Sequence, residues 1–140
     1  MDTMSSHQIG FSGELLAASL LQRIFPAIAF PQTVTHYDIL CESATGSFLK
    51  CQVKTTNNLE NTNGSLYWRF GTSKKSKGVR NNMYLNSDVD FFAFVCLKKN
   101  LVVFVAFEDV KSCFFRIPDR HMNKRKQDRS IIKLSKAWNV

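Results

Sequence analysis

The stretch "YDILCESATGSFLKCQVK", residues 37–54, decides the fold. Two strand-like runs, "YDILCE" and "FLKCQVK", flank the turn "SATGS", the pattern of a β-hairpin. Facing residues in an antiparallel pair have numbers that sum to a constant. If Glu42 stands opposite Phe48, then Cys41 meets Leu49, Ile39 meets Cys51 and Tyr37 meets Val53, which makes one face uniformly apolar. The other face then sets Asp38 across from Gln52, with Lys54 one step further on. A slip of one residue would mix the two faces, so the apolar pattern itself selects this register.

The rest of the chain suits a hairpin built into a larger core. Its 140 residues are 44% hydrophobic and include 12 Phe, a globular composition of single-domain size. The formal net charge of +8 favours a polyanionic partner, either nucleic acid or an anionic membrane surface. The apolar runs fall well short of the roughly 20 residues a bilayer span needs. "MDTMSSHQIG" has no basic segment leading into an apolar one, so the expectation is an intracellular, cytoplasmic protein with no membrane contact. Cys41, Cys51, Cys96 and Cys113 form no Cys-x-x-Cys pair, and no His stands at zinc spacing. They are expected to be reduced, and most of them buried in strands.

Read along the chain, "GFSGELLAASLLQRIF" (10–25) places Leu15, Ala18, Leu21 and Phe25 at helical spacing, with Ser12 as its N-cap. Pro26 and Pro31 bracket a break. After the hairpin, "TTNNLENTNGS" reads as a polar Asn-rich loop, "LYWRFGT" as a third strand and "SKKSKGVRNN" as a basic flexible segment. "VDFFAFVCL" and "LVVFVAF", joined by "KKN", predict a second hairpin buried on both faces. "EDVKSCFF" reads as the start of a short helix, and "DRHMNKRKQDRSIIKLSKAW" as a basic, mostly polar tail. The fold class is therefore α/β or α+β: an N-terminal helix packed on a central mixed sheet of about five strands.

A carboxylate, an amide and an ammonium at one end of a hairpin suit metal-assisted phosphodiester hydrolysis. Asp38, the Gln52 side-chain oxygen and the Val53 backbone carbonyl are hard oxygen ligands of the kind Mg²⁺ prefers. Lys54 would orient or help deprotonate the attacking water, or stabilise charge growing on the phosphate. A second acid is wanted, and Glu14 supplies it if the first helix packs along the sheet edge.

The series Glu14, Asp38, Gln52-Val53-Lys54 resembles the PD-(D/E)XK nuclease superfamily, whose core is a helix followed by a meander carrying Asp and (Asp/Glu)-x-Lys. The order "GELLAASLL", "YDIL", "QVKTT", "DVDFFAFV" is most similar to the group I intron-associated homing endonucleases, with Holliday-junction resolvases more distant. The resemblance implies a restriction-endonuclease-like core over about 9–107, within a single domain 1–140 that ends in a basic segment at about 118–140. It implies that Glu14 and Asp38 are metal-associated acids, Gln52 replaces the second motif acid and Lys54 is the catalytic lysine. Tyr37 stands where the family pattern has Pro. The implied cofactor is Mg²⁺ or Mn²⁺, with no small-molecule cofactor.

The implied substrate is double-stranded DNA. Lys74, Lys75, Lys77 and Arg80 are candidate phosphate contacts, Asn81 and Asn82 candidate readers of adenine edges, and Lys124, Arg125, Lys126 and Arg129 a further backbone grip. Tyr67, Trp68 and Phe70 are expected to place at least one ring in the core, and His36 lies near Asp38. One site cuts one strand, so double-strand cleavage requires a homodimer or homotetramer. The rival readings are a branched-DNA resolvase on the same fold and a non-catalytic DNA-binding module.

Overall fold

In a computed structural model, which describes residues 3–73, Tyr84 and 88–138, the 37–54 hairpin forms in the expected register. Strands β2 (Ile39–Glu42) and β3 (Phe48–Thr56) pair antiparallel with Ile39 opposite Cys51, Cys41 opposite Leu49 and Glu42 opposite Phe48. Gly46, at φ +85°, closes the turn in a conformation that glycine adopts without Cβ strain.

The hairpin lies inside a five-stranded mixed sheet of order β1-β2-β3-β6-β7. Strand β1 is Ala27–Ala29, β6 is Phe91–Cys96 and β7 is Leu101–Ala106. The pairing of β3 with β6 is parallel and all other pairings in this sheet are antiparallel. Every residue of β6 is buried, as its unbroken apolar run requires of a strand covered on both faces.

Five strands were expected, but not these five. Residues between Pro26 and Pro31, read as a break, supply the edge strand β1. The third strand expected from "LYWRFGT" exists as β5 (Ser65–Gly71), yet it belongs to a separate sheet of order β4-β5-β8. Its neighbour β4 (Leu59–Thr62) lies in the segment read as a polar loop. The deciding residues are Asn63 and Gly64, both at positive φ (52° and 85°), which form the tight turn that Asn-Gly favours between strands. "EDVKSCFF" yields only a 3-10 turn at Phe107–Asp109, followed by strand β8 (Phe114–Pro118).

Helix α1 spans Ser6–Leu21 and starts four residues earlier than the Gly10 read from periodicity. Ser5, not Ser12, is its cap: Ser5 and Gln8 exchange side-chain-to-backbone bonds in a capping box. Its buried residues are Gly13, Ala17, Ala18, Leu20 and Leu21, whereas Leu15, placed on the apolar face by spacing, is 48% exposed. The basic tail becomes helix α2 (Lys124–Trp138).

Two cores flank the sheet. On one face Ala17, Leu21, Ile39, Cys51, Val53, Phe91 and Leu134 pack under the helices. On the other, Trp68, Phe70 and Ile117 of the small sheet close over Phe92, Phe94 and Val103. Both Trp68 and Phe70 are therefore core residues, while Tyr67 is half-buried. Cys41, Cys51 and Cys96 are buried thiols.

Helix α2 seals the β7 edge. An edge strand presents unpaired N–H groups along its open side. Here the Val102 N–H donates to Gln127 Oε1 at 2.9 Å and the Phe104 N–H to Ser130 Oγ at 3.0 Å. Gln127 and Ser130 are buried because they perform this pairing.

Candidate active site

Alternation along β3 sends Leu49, Cys51 and Val53 into the helix-side core and leaves Lys50, Gln52 and Lys54 half-buried on the opposite face. Gln52 and Lys54 stand beside Phe92 and Phe94 of β6. Asp38, just before β2, is fastened to the same strand from the other side. Its N–H donates to the Cys51 carbonyl at 2.8 Å, and its Oδ2 accepts the Val53 N–H at 2.9 Å. The β2–β3 ladder itself ends at Ile39 and Cys51, and Asp38 bonds to Cys51 and Val53 on either side of Gln52.

Glu14 reaches this place because α1 crosses β3 at close range. A Cβ added at Gly13 would lie 1.8 Å from Thr55 Oγ1, so only glycine permits the approach, and Glu14 is the next residue. Burial, and then repulsion from Asp38, pushes the Glu14 carboxyl up to about 7. Burial also raises Asp38, against the opposing effects of the Val53 N–H and the Lys54 ammonium. Two carboxyls thus share a partly desolvated patch with one lysine.

The structure adds Tyr84, which sequence reading missed. Its hydroxyl accepts a hydrogen bond from Lys54 Nζ at 3.1 Å, and the ammonium lies 5.1 Å from the ring centroid. Tyr84 is buried edge-on against Phe92, and burial together with Asp38 and Asp88 pushes its hydroxyl up to about 12. The available signal was one aromatic within the polar run "NNMYLNSD". Asp88 in turn lies 3.8 Å from the exposed His36, which places that histidine at the rim of the cluster.

Among the described residues no group of three or more His, Cys, Asp or Glu could hold a metal ion. The candidate donors are two carboxyls, Glu14 and Asp38, with the Gln52 side-chain oxygen and the Val53 carbonyl. All are hard oxygens, and the crowding of the two acids is what a divalent cation relieves, so the set fits Mg²⁺ or Mn²⁺.

Of the DNA-contact candidates, Lys74, Lys75, Lys77, Arg80, Asn81 and Asn82 lie outside the described residues. Lys124, Arg125 and Lys126 form the first turn of α2, above the β7 edge and two strands from β3. They do not join the acid cluster, and Lys124 is paired with Asp128 at 2.9 Å. A groove of about 640 Å³ also lies at that edge, lined by Phe104, Val105, Arg129 and Trp138. Neither Glu14 nor Asp38 lines it.

The fold and the cluster can be set against known proteins. A bacterial homing endonuclease of known structure, I-Ssp6803I, matches with a TM-score of 0.66 at 18% identity, covering 98% of this chain and 99% of that one. No curated protein matches. The sequence profile of the PD-(D/E)XK endonucleases matches residues 4–140, nearly the full length. With an acid, a Gln-x-Lys and a helix-borne Glu around one hairpin, the chain belongs to the PD-(D/E)XK endonuclease family.

Proposed function

We propose that the protein is a Mg²⁺- or Mn²⁺-dependent DNA endonuclease of the homing type, acting on double-stranded DNA as a homodimer or homotetramer. The observation that carries the reading is Asp38, fixed to β3 by the Val53 N–H, with Glu14 close enough to be repelled by it and Lys54 close enough to attract it. The match to a homing endonuclease along the whole chain supports the choice of type.

Glu14, Asp38, Gln52 and the Val53 carbonyl would hold the cation. When bound, it would polarise the phosphoryl oxygen and make an attacking water more acidic. Asp38, fixed by its bonds to Cys51 and Val53, keeps one carboxylate in place without side-chain reordering. Gln52 provides an oxygen without adding a third negative charge beside the phosphate. Lys54, held by Tyr84, directs its ammonium at the charge that grows on the scissile group. Each protomer carries one such set, so breaking both strands takes two copies related by symmetry.

The test compares linear duplex containing candidate insertion sites with a four-way junction, each with Mg²⁺, Mn²⁺ or EDTA. Site-dependent cutting of linear DNA that EDTA abolishes supports the proposal. Preference for the junction would make the protein a resolvase, and binding without cutting a non-catalytic module. Asp38→Asn should abolish cleavage while retaining or tightening DNA binding, because it removes a negative charge next to the phosphate.

A further inference from the structure

The small sheet has an outward face that the active site does not use. Along β5, Trp68 and Phe70 point into the core and Arg69 outward; along β8, Ile117 points in while Phe114 and Arg116 point out. In the β5–β8 ladder Arg69 stands directly opposite Arg116. Like charges facing each other across a strand pair destabilise it. Both guanidinium groups nevertheless lean on one ring, with Arg69 Cζ 4.6 Å and Arg116 Cζ 5.9 Å from the centroid of Phe114. That ring is 44% exposed. Glu60 pairs with Arg69 Nε at 3.1 Å. The shared aromatic platform offsets part of the repulsion between the two cations and pre-orders two planar groups for an anion.

We infer that the outer face of the β5–β8 ribbon, through Arg69 and Arg116 stacked on Phe114, is a contact surface for the phosphate backbone of duplex DNA. Its position suits that role. The chain passes from β3, which carries Gln52 and Lys54, directly into β4 and β5, and β5 also packs against β3. The ribbon is thus a direct neighbour of the strand that carries Lys54, within the span of a duplex held at that strand. A second copy of the chain is a poor occupant, since two such faces would repel. The inference deepens the endonuclease reading and rests on it for the identity of the partner.

The experiment measures binding of the full chain to labelled duplex in EDTA, where cleavage is blocked, across a salt series, together with Tm. The Arg69→Gln/Arg116→Gln double variant should bind roughly tenfold more weakly, and the slope of log K against log salt should fall by about two. The paired Arg→Lys variant should keep most of the slope, because it keeps the charges. Tm of the Gln variant should change little, since removal of a like-charge pair offsets loss of the Glu60 ion pair and the ring contacts. Unchanged affinity and slope, or a lower Tm with unchanged affinity, would overturn the inference, as would a parent chain that does not bind duplex at all. Weakened binding in the Gln variant of a parent that never cleaves with Mg²⁺ or Mn²⁺ would keep the contact surface and discard the nuclease mechanism.

Discussion

The sheet buries polar side chains at two places, and the difference between them separates chemistry from architecture. At the β7 edge, Gln127 and Ser130 of α2 are buried against the strand, and each accepts a hydrogen bond from a strand N–H. At the β2–β3 end, Glu14 and Asp38 are partly buried beside each other, and each is pushed towards its neutral form. The first arrangement lowers the free energy of the folded chain. The second raises it, and persists because surrounding structure holds it in place. Substitutions at the edge should therefore damage stability and spare activity, while substitutions at the acid cluster should do the reverse.

The largest effect belongs to Lys54→Ala. Loss of a donor aimed at developing charge costs on the order of 10²–10³ in kcat. Cleavage should fall by at least that factor while Tm stays within a few degrees of the parent. Single-turnover kinetics alongside thermal melts check both halves, and undiminished cleavage would remove Lys54 from the mechanism.

At the other end, Gln127→Leu keeps the helix and the volume but leaves the Val102 N–H without an acceptor. An orphaned buried donor costs about 1–3 kcal/mol, which should appear as a Tm several degrees lower. Cleavage per folded molecule should not change. A fall in activity without a fall in stability would contradict the division drawn here.

Tyr84→Phe sharpens the comparison from within the cluster. The ring would still pack against Phe92, so the fold should hold, but Lys54 would lose its hydroxyl partner. Misplacing the ammonium should lower kcat roughly tenfold with little change in KM for DNA. In a Lys54→Ala background the same substitution should do nothing further, because the two residues act as a unit. An equal loss in both backgrounds would assign Tyr84 to packing alone.

Much of this was legible beforehand, for identifiable reasons. The β2–β3 register could be read because two short strands and one turn admit a single apolar alignment, which the pairing of Ile39 with Cys51 and Cys41 with Leu49 reproduces. Glu14 was reachable by reasoning, but its contact depends on Gly13, whose role emerges only when α1 meets Thr55. Tyr84 was not legible: it stands 30 residues from Lys54, and nothing local says where a lone aromatic will be buried. The Asn63-Gly64 turn and the Ser5–Gln8 box were present as local signals, obscured by the polar residues around them. Helix α2 read as a basic, mostly polar tail because its buried face is partly polar, and polar residues that cap a sheet edge resemble surface until the edge is known.

The smallest effect concerns the energy stored in the carboxyl pair, and its sign follows from linkage. The Glu14 carboxyl, ordinarily near 4.5, is raised to about 7 in the folded chain. Between these values the folded state binds more proton than the unfolded state, so stability falls as pH rises through this window and levels off above it. Glu14→Gln removes the titrating group. Its Tm should match the parent's near pH 4.5 and exceed it above about pH 7. Because Glu14 is only half-buried, solvent screening reduces the gain to about 1 kcal/mol. Millimolar Mg²⁺ should narrow the gap above the window by stabilising the parent more than the variant, since a cation bound between the acids favours their charged forms. If the parent and Glu14→Gln respond to Mg²⁺ alike, Glu14 does not hold the metal, and the crowding at this end of the sheet would need another explanation.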